Sequence, residues 1–69
     1  SKIAISDAGV GATLLKSALQ GASLNIYINT KSMADKKAAA SYNKEADELR
    51  EKYEKKADEI FQSVCNKIR

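Results

Sequence analysis

Few side chains in this sequence have chemistry to offer. Cys65 is the only thiol, Tyr42 and Tyr53 hold equivalent places eleven residues apart, and Asp47–Glu48 and Asp58–Glu59 are acidic pairs with the same spacing. A thiol could act as a redox or cross-linking group, phenols could stack on a ligand ring, and paired carboxylates could work as general acid and base. The spacing argues for plainer roles. Neighbouring residues on a helix point about 100° apart, so neither acidic pair converges and both read as surface charges. Tyr42 and Tyr53 read as packing residues with the hydroxyl at the rim. Cys65, beside Val64 and one turn after Phe61, reads as a small buried hydrophobe. Gly9-Val10-Gly11 lacks the third glycine and the following Gly-Lys-Ser/Thr of a phosphate loop, so it reads as a segment that loosens or closely packs the start of the first helix.

The remaining composition removes whole classes of function. The chain has 69 residues, no His and no Trp. A single Cys forms no internal disulfide, and without His there is no Cys/His zinc site and no Ser/His/Asp or Cys/His nucleophilic centre. The expectation is a non-enzymatic chain with no catalytic, cofactor-binding or metal site and no cofactor. Chains this short bury only about 60% of the surface they expose when unfolded, so stability calls for a partner. Lys plus Arg number 12 against 9 Asp plus Glu. Residues 1–30 carry only Lys2, Asp7 and Lys16, and the nearly balanced remainder sits in residues 31–69. Interspersed signs describe a solvated helix surface, which disfavours nucleic acid as a partner. A narrow apolar face rich in Ala and Tyr likewise disfavours a membrane surface. The start Ser1-Lys2-Ile3-Ala4-Ile5-Ser6-Asp7 lacks the pattern of a cleaved secretory signal.

The elements that must position these residues are helices. Tyr42, Ala46, Leu49, Tyr53, Ala57, Ile60, Val64 and Ile68 recur at spacings of four and three, one apolar face of a helix from about 32 to 67. Residues 42–49 are echoed by 53–60, and eleven residues over three turns keep the stripe on one side without strong supercoiling. Ser32 with Asp35 resembles a capping box, and Glu48–Lys52, Glu51–Lys55 and Lys55–Glu59 are opposite charges four apart. In the first half, Ala8, Ala12, Leu15, Leu19, Ala22 and Ile26 form a heptad-like seam. Ser6 or Asp7 is the expected N-cap of a helix over about 7–22. Leu24-Asn25-Ile26-Tyr27-Ile28-Asn29 alternates like a strand, so 23–31 is expected to be an extended or irregular connector. The fold class predicted is all-α: one domain over 1–69, a lopsided helical hairpin with a short apolar arm and a long charged one, completed by oligomerisation.

On Gly11-Ala12-Thr13-Leu14-Leu15, on Tyr42-Asn43 opening the second part of the long helix, and on the ending Val64-Cys65-Asn66-Lys67-Ile68-Arg69, the chain resembles the small subunits of type III secretion needles and the related pili of plant-associated bacteria. It lacks the proline-bounded turn and the N-terminal tryptophan of the needles, which sets it nearer the plant-type pilins. The resemblance implies a self-assembling structural subunit of a bacterial secretion filament, associated with virulence. Such a subunit is a homopolymer exported without a cleaved signal to the cell surface, with secretion-apparatus proteins or an export chaperone as further partners. Leu14, Leu15, Leu19, Leu24, Ile26 and Ile28 are then the assembly interface. Tyr42, Leu49, Tyr53, Ile60, Val64 and Ile68 pack the hairpin and its neighbours. The alternative is a soluble helical adaptor, chaperone or secreted partner that forms a closed bundle, with a cytoplasmic location.

Overall fold

The computed structural model describes residues 1–69. Two helices make up the chain, α1 over Lys2–Lys31 and α2 over Lys36–Ile68, with no strand. They lie against each other as a helical hairpin 52 Å long and 15 by 12 Å across. The all-α hairpin is the expected fold, but its arms are nearly equal, at 30 and 33 residues.

The expected connector is helical, and α1 runs on to Lys31. The alternation over 24–29 has no neighbouring strand to pair with. No Pro or Gly follows Gly21 to interrupt the helix, so the hydrogen-bond ladder simply continues. The caps also differ from those expected. Ser1, not Ser6 or Asp7, caps α1 by accepting from the Ala4 amide at 3.2 Å. Asp35, not Ser32, caps α2 by accepting from the Ala38 amide at 3.0 Å. Ser32 instead closes α1, its amide donating to the Asn29 carbonyl while the Met33 amide donates to that of Thr30. The turn therefore needs only residues 32–35.

Small residues hold the helices together. The buried positions are Gly9, Ala12, Ser23 and Thr30 on α1 with Ala39 and Ala46 on α2, and no large side chain is fully buried. Gly9 shows why: a Cβ built there would lie 3.0 Å from Val64 Cγ1. At Gly11 and Gly21 the same atom would meet open space. Only Gly9 of the three is thus fixed by contact between the arms.

The seam does not follow the apolar stripes read from the sequence. Tyr42, Leu49, Tyr53 and Ile60 are exposed, as are Leu14, Leu15, Leu24, Ile26 and Ile28. Leu19, Val64 and Ile68 are half-buried. Long apolar side chains cannot fit between helices that approach over Gly and Ala, so they line the flanks. Of the stripe on α2, only Ala46 is buried.

Candidate functional site

A ladder of polar side chains crosses from one helix to the other and is the main concentration of chemistry in the molecule. Near the turn, Thr30 Oγ1 donates to Asn43 Oδ1 at 2.6 Å and also lies 3.1 Å from the Tyr27 carbonyl oxygen. One turn on, the Tyr27 hydroxyl donates to Asp47 Oδ1 at 2.5 Å and accepts from Arg50 Nε at 3.2 Å. Arg50 Nη1 reaches Glu54 Oε1 at 2.6 Å, and Gln20 Nε2 donates to the other oxygen of Glu54 at 2.5 Å. The last rung is Lys16 Nζ to Asp58 Oδ1 at 2.6 Å. Each step along α1 matches a step back along α2 to within one residue, so the pairing is antiparallel in constant register.

Arg50 is the hub. Its guanidinium also lies 3.9 Å from Asp47 and 4.0 Å from Glu51. A planar fork of five donors suits such multiple acceptors, where a lysine would supply one point charge. The hydrogen bond with Tyr27, then that with Glu54, raises the Arg50 pKa above its ordinary value. The Gln20 hydrogen bond, then that from Arg50, holds the Glu54 carboxyl below the usual carboxylate range. The hydrogen bond to Asp58 raises Lys16.

The Glu54 shift fixes a direction with pH. Its folded pKa is depressed, so the stabilisation is present above the unfolded value near 4.5 and is lost as pH falls through the folded value. Thermal unfolding followed from pH 7 to pH 3 should show Tm falling below about pH 4.5. Glu54→Gln should flatten part of that fall. An unchanged pH profile in the variant would remove Glu54 from the account.

Sequence reasoning missed most of this ladder. The acidic pairs read as surface charges contribute one carboxylate each, Asp47 and Asp58, to bonds with α1. The expected pairs Glu48–Lys52, Glu51–Lys55 and Lys55–Glu59 do not form, and the ion pairs present all involve Arg50 or Lys16. The available signal was Asp47, Arg50 and Glu54 at spacings of three and four, a charged stripe beside the apolar one. Cys65 is half-buried and unbridged. No group of His, Cys, Asp or Glu is placed to hold a metal ion, and no helix is long and apolar enough to cross a membrane.

On the opposite flank lies an apolar groove of about 760 Å³. It is lined by small residues, among them Ala12 and Ala57, and by Leu15, Leu19, Tyr53 and Ile60. The expected assembly residues Leu15 and Leu19 are thus brought together with Tyr53 and Ile60. Leu24 and Ile28 are not among them.

No curated protein and no solved structure matches the chain at a significant level. A family model described as formiminotransferase-cyclodeaminase matches residues 1–48, which cover α1, the turn and the start of α2. This finding overturns the secretion-filament reading, with its needle, pilus and virulence associations, and gives no support to the adaptor or chaperone alternative. The resemblance to needle and pilus subunits rested on an apolar first arm, a polar second arm and a few short strings of residues. Any hairpin with one poorly charged helix shares those features. More than two thirds of the sequence lies within the match, and the chain belongs to the formiminotransferase-cyclodeaminase family.

Proposed function

We propose that this chain is a scaffold hairpin of a formiminotransferase-cyclodeaminase-type helical body. The family's name describes the transfer of a formimino group and a ring closure that expels ammonia. On this reading the hairpin serves such chemistry by supplying packed helices, and its own side chains are not the reacting groups.

The observation that carries the proposal is that the polar side chains between the two helices are engaged with one another. Tyr27, Asp47, Arg50, Glu54 and Gln20 form one closed network, and Lys16 is held by Asp58. No buried side-chain nitrogen or oxygen lacks a partner. A reacting acid or base needs a free position facing the substrate and a pKa near the working pH. Glu54 is moved the other way, toward a permanent carboxylate.

The test is an assay of the purified, folded chain for ammonia release from a compound that has accepted a formimino group, with helicity followed by circular dichroism. The expected result is full helicity and no release above the uncatalysed rate. Turnover by the chain that disappears in Glu54→Gln or Tyr27→Phe would overturn the scaffold role.

A further inference from the structure

We infer that Arg50 is a positioning residue that decides which residues of the two helices face each other. It singles out one register of the hairpin from two that the sequence repeat allows, a role separate from the scaffold reading.

The repeat creates the alternative. Asn43 and Asp47 of its first copy correspond to Glu54 and Asp58 of its second, and these four residues are the acceptors of the ladder. Their donors on α1 are Thr30, Tyr27, Gln20 and Lys16, and Tyr27 and Lys16 also stand eleven apart. The buried Ala12 and Ser23 have the same separation. Eleven residues are close to three whole turns. Sliding one helix along the other by that step, about 16 Å, therefore returns the same faces to the seam. Lys16 then meets Asp47, Gln20 meets Asn43, and Ala46 takes the place of Ala57.

The chain can reach that arrangement. With Thr30 beside Asn43, the first two turns of α2 run past the end of α1. After the slip those turns are paired, and about the same length is released at the other end of α2. Only the last turn of α1 has to unwind to lengthen the loop. The length of paired helix does not choose between the registers.

Two contacts do distinguish them. At Gly9 the slip replaces Val64 with its counterpart Tyr53. Tyr53 already lies to the flank, lining the groove, so that exchange is a matter of fit. The exchange at Arg50 is one of charge. Arg50 has no basic counterpart, because Phe61 stands eleven residues on. It now lies between the two copies, donating to the Tyr27 hydroxyl at 3.2 Å and to Glu54 at 2.6 Å. After the slip Lys16 holds the place of Tyr27, and two cations confront each other across the seam. Their side chains are only 29% and 31% exposed, so solvent screens the repulsion less than it would at the open surface. A single polar residue in an otherwise permissive helix interface fixes the register of coiled coils in the same manner.

The distance between two spin labels on one hairpin reads the register. The labels are carried by Asn25→Cys and Asn66→Cys, both exposed, in a Cys65→Ser background. Labelled chain is diluted into unlabelled chain, so that only distances within one hairpin count. In the present register the two sites lie about 26 Å apart along the axis, and in the slipped one about 42 Å. The chain with Arg50 intact should give the shorter distance alone. Arg50→Met should add the longer distance in about a tenth of the molecules or more, the upper end of ordinary minor states. Helicity is checked by circular dichroism, and Arg50→Gln is read instead if Arg50→Met loses it. Arg50→Lys, which keeps the cation, should restore the single distance. An unchanged distance in the uncharged variant would overturn the inference and leave the fit of Val64 against Gly9 to set the register. A longer distance equally present in Arg50→Lys would overturn it too, since charge would then not be the selector.

Discussion

Replacing Ala46 with leucine should destabilise the hairpin by about 1–3 kcal/mol, the usual cost of forcing extra methylenes into a packed interface. Ala46 is 6% exposed and lies on the inner face of α2. A longer side chain there has to separate the helices or leave its preferred rotamer. Separation would stretch the neighbouring bonds from Tyr27 to Asp47 and Arg50 as well. A chain of this length has a total stability of only about 3–10 kcal/mol, so the loss is a large share. Urea denaturation at fixed protein concentration measures it, with Ala40→Leu as the comparison. Ala40 is exposed on the same helix, and leucine and alanine have similar helix propensities. Ala40→Leu should leave the midpoint nearly unchanged. Equal effects at both positions would show that the seam is not closely packed.

The second large effect is expected at Thr30. Valine keeps the shape of threonine but loses the hydroxyl that meets Asn43 Oδ1 at 2.6 Å. Thr30 is 5% exposed, so a half-buried amide oxygen is left facing a methyl group. An unsatisfied group of this kind costs about 1–3 kcal/mol. Thr13→Val is the matched comparison, since Thr13 is exposed and its hydroxyl donates only to the Gly9 carbonyl within its own helix. A double-mutant cycle with Asn43→Ala isolates the pair: the Thr30 effect should shrink once Asn43 is gone. Full additivity would remove the Thr30–Asn43 bond from the stability of the turn end.

These two sites mark where the sequence was legible and where it was not. The three- and four-residue spacings from Tyr42 to Ile68 led correctly to a helix, and the seam from Ala8 to Ile26 led correctly to a second helix that makes a hairpin with it. The orientation of the helices did not follow, because hydropathy weights a side chain by size. Leu15, Leu49 and Ile60 dominate such a reading, while Ala12, Ser23, Ala39 and Ala46, the residues that touch, count for little. Close approach between helices selects what is small, and small residues occur on every face of this chain. The ladder was hidden for a related reason. Tyr27 lay in a stretch read as a connector, and Arg50 stood in the first half of a charge-rich helix where many pairings four apart were open. Only the antiparallel register shows that Tyr27 is level with Asp47 and within reach of Arg50 one turn on.

The turn has one more consequence. Residues 32–35 are the whole loop between two long arms, so the first contacts across the hairpin join positions close together in the chain, such as Thr30 and Asn43. Closing so short a loop costs little entropy, and every later contact extends a structure already begun. The arms can close like a zipper from the turn toward the ends. Folding by such local steps is fast. The same order in reverse makes the end at Gly9 and Val64, beyond the last polar rung, the first to fray.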